Sequence, residues 1–467
     1  MIKVHAVMCT YNGAKTLRRA LDSLLNIEIP KGMEMKIYLE DDGSTDDTVG
    51  IYKEYAEKDK RMELILHKEN HRVAKKALPI FETIGEIVKK SGEEDFLFIL
   101  DADDEYKPEF LIKMIQFMER YQLDMAACGS DFIYHDTNQE VGKRLFPLKI
   151  LVEGEDFSKY FSQYHQFMRT VWAKLYRTST LRNCDFTEAG KHFYGFDTMF
   201  AIEVYDQLKN FGILDESLHK YYIFQESTSY IWTDKRAQSD VVLHKRYLQF
   251  LENHNAVTEE NINYLFKVYG GALVETTRML VNAQLDEKSK LEVIIDIFSH
   301  EYTKELLKGP IARGEAFQKS INQLKDWILT IESKGREIDQ KKVEALQALR
   351  CELNYVLYGL SSELLLKFPQ TTMQVMKDAK QALPVFYEES EKVDFPEELL
   401  EEYLFLGQRL AAAKEDNDTY IYFSKLLIEY WIANNKKEMA KKAADEFLQI
   451  LPDDSDFISV KQRCASC

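Results

Sequence analysis

Phe96-Leu97-Phe98-Ile99-Leu100-Asp101-Ala102-Asp103-Asp104 is an unbroken apolar run that stops on three carboxylates within four positions. Five apolar residues closed by a polar loop read as a strand buried on both faces, with the acids delivered at its carboxyl end. Hard oxygen donors in that position suit Mg²⁺ or Mn²⁺, which usually sit on one or two carboxylates plus substrate phosphates and water. Asp101 and Asp103 are the expected metal ligands, and Asp101-Ala102-Asp103 the expected diphosphate end of a ligand site. The competing interpretation is an acidic cap ahead of a helix that starts near Pro108.

Working back to the amino terminus, strand and helix patterns alternate. Lys3 to Met8 reads as a buried strand. Ala14 to Leu25 then puts Leu17, Ala20, Leu21, Leu24 and Leu25 on one helical face. Strands are predicted again over Met35–Leu39, Met62–Leu66 and Phe96–Leu100, and helices over Thr45–Ala56 and Val73–Val88. The expectation is an α/β fold with a mostly parallel sheet and helices on both faces. Ligands of open α/β sheets bind beyond the carboxyl ends of the strands, so the loops there carry the chemistry.

Two further strand-end loops are loaded. Thr10-Tyr11-Asn12-Gly13 turns the chain with small and polar groups that can offer main-chain atoms to a flat base, or can simply cap a helix. Glu40-Asp41-Asp42-Gly43-Ser44-Thr45-Asp46-Asp47-Thr48 holds carboxylates able to accept an imide N–H or a ribose hydroxyl, with Asp42 the stronger candidate. One of Ser44, Thr45 and Asp46 is expected to cap the next helix.

These three loops, in this order and on these elements, resemble the family 2 glycosyltransferases of the GT-A fold over about Ile2 to Trp232. Val171-Trp172-Ala173-Lys174-Leu175-Tyr176-Arg177 is similar to the family's V-W-x-K-L-Y segment. Phe193-Tyr194-Gly195-Phe196-Asp197-Thr198 falls where many members carry a Glu-Asp pair before a helix. The resemblance implies inverting transfer of a single sugar from a nucleotide-diphospho-sugar, UDP-linked, to a hydroxyl of a glycan, lipid-linked glycan or protein acceptor. It implies Mn²⁺ or Mg²⁺ as cofactor and Asp197 as the base that takes the acceptor proton, the role an inverting transfer requires. Around the donor it places Thr10, Tyr11, Asn12, Asp41, Asp42, Lys75, Lys76, Asp101, Ala102 and Asp103, and beside the acceptor Trp172 and Tyr194. Core packing competes for Trp172, and a solvated helix face for Lys75 and Lys76.

The chain departs from the family pattern in two places. Glu69-Asn70-His71-Arg72-Val73-Ala74-Lys75-Lys76 stands where E-N-x-G and A-R-N are common, so the usual arginine is out of register and Arg72, Lys75 or Lys76 is left to approach the diphosphate. Phe196 replaces the first acid of the pair. Both departures motivate an alternative in which a degenerate transferase domain serves a binding or scaffold protein. A nucleotidyltransferase is weaker still, since no glycine-rich basic triphosphate loop stands near the amino terminus. The Q-x-x-R-W signature of processive relatives is absent, which implies addition of one sugar or a few. Tyr221 to Tyr230 resembles the segment that closes the family's catalytic domain.

After about Asp240 the texture becomes amphipathic and helical, with apolar residues at three- and four-residue spacing in Leu399–Ala413, Tyr420–Ile432 and Lys436–Leu451. The expected division is a GT-A domain over 1–235 and an all-α domain over 240–467, either tetratricopeptide-like or a generic bundle. This second domain is the candidate site for a protein partner or a homo-oligomer contact. A net charge of −17 argues against general affinity for nucleic acid or anionic lipid. No stretch approaches the roughly 18 apolar residues of a membrane span. Six scattered cysteines and an amino terminus without a signal-peptide pattern suggest the cytoplasm. The Cys464-Ala-Ser-Cys467 pair has redox spacing but no second pair beside it.

Overall fold

A computed structural model of the chain describes residues 1–72, 74, 76–191, 194–224, 232–309, 312, 314–333, 364, 367–393 and 397–465. They form two compact units, Met1–Ala272 and Leu273–Cys467.

The first unit is built on one mixed sheet. Its strands are β1 (Ile2–Thr10), β2 (Met33–Asp41), β3 (Met62–Leu66), β4 (Phe96–Ile99), β5 (Glu105–Tyr106), β6 (Met125–Tyr134), β7 (Glu140–Arg144), β8 (Ile150–Glu153), β9 (Lys174–Arg177) and β10 (Asn210–Ile223). The spatial order is β3-β2-β1-β4-β9-β6-β10-β5. The first four strands run parallel, as does the β6–β10 pair, whereas β9 lies antiparallel between β4 and β6. Val4, Ala6, Val7 and Met8 of β1 and all four residues of β4 are at most 1% exposed, the burial expected of central parallel strands.

Helices α1 (Leu17–Leu25), α2 (Thr48–Lys58), α3 (Pro79–Lys90) and α4 (Phe110–Tyr121) connect them. The predicted start of α3 at Val73 is corrected: the helix begins at Pro79, whose ring is tolerated in the first turn. The preceding residues are spent on a loop, in which the Leu78 N–H donates to the Gly190 carbonyl at 3.0 Å.

The units divide at Ala272/Leu273, beyond the expected 235–240 boundary. Helix Arg236–Asn253 belongs to the first unit because Tyr247, Phe250 and Leu251 are buried in the same core as the strands. The second unit is helical among the described residues and has its own core, including Leu406, Leu410, Phe423, Leu427 and Trp431. Helices Leu400–Lys414 and Asn417–Ala433 reverse through Glu415, at φ +62°, and Asp416 caps the second by accepting from the Thr419 N–H at 3.1 Å. Gly407 permits their close approach, since a Cβ there would lie 2.4 Å from the Phe423 ring.

Candidate active site

The loop after β4 gathers Asp101, Asp103 and Asp104 so that a carboxylate oxygen of each lies within 4.8 Å of the others. Asp104 is fully buried. Its Oδ1 accepts from the Tyr222 N–H at 2.9 Å, while its Oδ2 faces His219 Nε2 at 3.4 Å without a hydrogen bond. Burial pushes all three carboxyls upward, most strongly Asp101 and Asp104. The charges of Asp197 and Asp103 add to the rise at Asp101, and those of Asp103 and Asp101 at Asp104. A divalent cation fits this set: the donors are hard oxygens, close together, one of them buried and unsatisfied.

Asp197 enters from a distant part of the chain, in the first turn of helix Phe196–Gln207. Burial raises its carboxyl to about 6, held back by the positive charges of Arg72 and Lys174. Its charge acts on Asp101, so the fold brings the two acids within electrostatic reach although 96 residues separate them.

The first two loops are laced together. Asn12, at φ +52°, donates its N–H to Ser44 Oγ at 2.8 Å and accepts from the Thr45 N–H at 2.8 Å through Oδ1. The Gly13 N–H donates to Thr48 Oγ1 and the Ala14 N–H to Asp46 Oδ2. Asp46, which also accepts from the Thr48 N–H and hydroxyl, is the polar group that joins this turn to α2. Tyr11, half exposed at 47%, is left at the rim.

Asp41 and Asp42 are both buried, with different partners. Asp41 Oδ2 accepts from the Gly43 and Ser44 N–H groups, and its Oδ1 has no hydrogen-bond partner. Asp42 is engaged at both oxygens, by Asn70 Nδ2 at 3.0 Å and by the His71 main chain and imidazole. Gly43, at φ +71°, lets this loop pass close to the one after β3, for a Cβ there would lie 2.4 Å from the Glu69 carbonyl carbon.

Residues 6–187 match the family model for glycosyl transferase family 2. The chain carries a family 2 glycosyltransferase domain. Among curated relatives it is similar to the glycosyltransferase YibD of Escherichia coli, 22% identical over 70% of this chain and 92% of that one. It is also similar to the glycosyltransferase GlyA of Streptococcus pneumoniae, 27% identical over 50% of this chain and 32% of that one. Among solved structures, S. aureus TarS 1-349 in complex with UDP-GlcNAc aligns with a TM-score of 0.42 and 16% identity, over 76% of this chain and 87% of that one. So loose a superposition carries nothing about ligands. The enzyme is a glycosyltransferase, and its matched domain lies within the first unit.

Within this transferase, several side chains stand elsewhere than the motifs suggested. Thr10 is buried, its hydroxyl 2.6 Å from the Tyr52 hydroxyl, so it braces β1 against α2. Trp172 is corrected from acceptor contact to core: it is 6% exposed and stacked on His219 and Tyr221, with the Arg144 guanidinium 4.5 Å from its ring. Tyr194 is partly exposed and covered by the Arg236 guanidinium at 4.2 Å. Lys76 is exposed and ion-paired with Glu69, and Lys75 lies outside the described residues. The charge of Arg72 reaches Asp197, and its guanidinium lies 5.0 Å from the Phe196 ring.

The acidic run includes Asp104, although only Asp101 and Asp103 are expected as metal ligands, and Arg19, His135 and Tyr222 carry no role of their own in the motifs. Asp104 carried a visible signal, as the third acid of the run. Lys174, inside the tryptophan segment, is a fully buried lysine whose ammonium donates to the Thr170 carbonyl at 2.6 Å, the Thr170 hydroxyl at 3.0 Å and the Trp172 carbonyl at 3.2 Å. Those three bonds are what make a buried ammonium tolerable. Among the described residues no helix is long and apolar enough to cross a membrane, and Cys9, Cys128, Cys184 and Cys464 are free thiols.

Proposed function

We propose that the enzyme is a metal-dependent inverting glycosyltransferase that moves one sugar from a UDP-sugar to a hydroxyl of a glycan, lipid-linked glycan or protein acceptor, in the cytoplasm. The observation that supports this reading is the convergence of Asp101, Asp103 and Asp104 at the strand ends, with Asp197 near enough for its charge to act on Asp101. Asp101 and Asp103 would hold Mn²⁺ or Mg²⁺, with Asp104 as a third oxygen donor. When bound, such an ion neutralises charge on a departing diphosphate.

The chain's own groups do the rest. Asp41 keeps one buried oxygen available to a nucleoside donor, and Tyr11 and Asn12 border the same loop pair. Asp42 reaches a ligand only if the His71 imidazole gives way. Asp197, with a carboxyl near 6, is ionised at neutral pH and close enough to neutrality to accept a hydroxyl proton, the balance a general base needs. The charges of Arg72 and Lys174 limit the rise that burial imposes on it. We assign the helical unit to acceptor or partner recognition, through its amphipathic hairpins.

The test is a thermal-shift screen of nucleotide sugars with Mn²⁺, followed by transfer to hydroxyl acceptors and determination of the product's anomeric configuration by NMR. A UDP-sugar should stabilise the fold, and the product should have the inverted anomer. Retention of configuration, or release of pyrophosphate from a nucleoside triphosphate, would refute the reading.

A further inference from the structure

Arg19 sits at the third position of α1, 84 residues before the acidic loop, and no motif draws attention to it. Its side chain is 26% exposed, and its guanidinium meets the acidic loop, His135, Glu105 and Tyr222, although Nε itself makes no hydrogen bond. Nη2 donates to the Asp103 carbonyl at 2.7 Å, Nη1 lies 3.2 Å from His135 Nδ1, and Nε is 3.3 Å from Glu105 Oε1. The guanidinium carbon stands 3.5 Å from the centre of the Tyr222 ring. Tyr222 closes the circuit, donating its hydroxyl to Glu105 Oε1 at 2.6 Å and its N–H to Asp104 Oδ1 at 2.9 Å. The end of β6 is tied in too, since the His135 N–H donates to the Ile223 carbonyl at 3.1 Å.

We propose that Arg19 is the positioning residue of the cation loop, clamping the Asp103 main chain to α1, β6 and β10 so that the three carboxylates converge. This rests on the metal-dependent reading given above. Three observations favour positioning over a surface ion pair. The contact to Asp103 is to its carbonyl, which orients the loop without competing for the carboxylate. Two donors reach the Asp103 carbonyl and His135 at once while Nε faces Glu105 as an ion pair, a division that suits a planar fork and not an ammonium. The face of the guanidinium is stacked on an aromatic ring, a cation–π arrangement that holds its plane. Groups that orient metal ligands in this way commonly govern affinity by 10- to 100-fold when removed.

The experiment is Mn²⁺ binding to the full chain followed by EPR, with Arg19→Ala, Arg19→Lys, Asp103→Ala and Arg18→Ala beside wild type. Arg18, on the same helix, pairs with the exposed Glu54 and reports the loss of a positive charge without the clamp. Arg19→Ala should raise the Mn²⁺ Kd by about 10-fold or more, and Arg19→Lys, which keeps the charge but not the fork, by several-fold. Arg18→Ala should stay within about 2-fold of wild type, with melting temperatures showing that each protein folds. If Arg19→Ala fails to fold, Arg19→Lys decides. Wild-type affinity in both Arg19 variants would overturn the proposal while leaving metal dependence standing. Absence of Mn²⁺ binding by wild type would refute metal dependence and the clamp with it. Equal weakening in Arg18→Ala would reduce Arg19 to a diffuse charge effect and overturn the clamp.

Discussion

Asp104 in the first unit and Glu389 in the second are both buried carboxylates, 0% and 8% exposed, with opposite surroundings. Glu389 accepts from the Gln370 N–H at 2.9 Å, the Thr371 N–H at 2.7 Å and the Thr371 hydroxyl at 2.6 Å. It thereby satisfies main-chain donors at the start of helix Pro369–Asp378, which have no partner within that helix. Asp104 leaves one oxygen without a hydrogen bond and has two more acids for neighbours. The helical unit uses its buried acid as structure. The sheet unit crowds desolvated carboxyls at its strand ends, an arrangement that resists ionisation without a cation and suits one.

The comparison can be broken most sharply at Asp197. Asp197→Asn removes the proton acceptor and should lower kcat by about 10²- to 10⁴-fold, while UDP binding measured by calorimetry is retained. Unchanged turnover would reduce Asp197 to a helix-terminal residue. Next in size is Glu389→Ala, which strands three donors in the second unit. It should cost about 1–3 kcal/mol of stability for each buried group left unsatisfied, seen in denaturant unfolding, without altering donor affinity.

Asp101→Asn should do the reverse. By removing a desolvated charge held among other acids, it is expected to raise the melting temperature of the metal-free protein, by about 2–4 °C for each kcal/mol of relief, and to weaken metal binding. A drop in melting temperature would mean that the acidic cluster is stabilising on its own. The smallest effect is in pH. Asp197 binds its proton more tightly folded than unfolded, so the metal-free fold loses stability as pH rises from about 4 to about 6. Catalysis, which needs the ionised form, should rise with pH through a midpoint at or below about 6. An activity maximum at pH 4 would contradict the assignment.

The α/β architecture was legible because β1 and β4 are buried on both faces and read as plain apolar runs, with their acids just past the end. The turn chemistry at 10–13 and 40–48 was equally local. What escaped is what tertiary packing decides. Trp172 falls in a family motif, but whether its ring meets ligand or core depends on His219 and Tyr221, more than 40 residues away, which stack against it. Lys76 offered a charge near the expected diphosphate, yet its nearest acid, Glu69, lies in the same loop and holds it outward. Arg19 had no signal at all, since on α1 it is one of several polar residues and only the fold brings Asp103 and His135 to it. The early start assigned to α3 reflects helix-compatible residues ahead of Pro79, of which Leu78 instead bonds the Gly190 carbonyl.

The central claim is that the strand-end carboxylates hold a cation against a nucleoside diphosphate. Calorimetric titration of UDP, with and without Mn²⁺, into wild type and Asp103→Ala tests it most directly. Wild type should bind UDP more tightly with Mn²⁺ than without, and Asp103→Ala should lose that difference. Binding that ignores Mn²⁺, or an Asp103→Ala protein that keeps the full metal effect, would contradict the account.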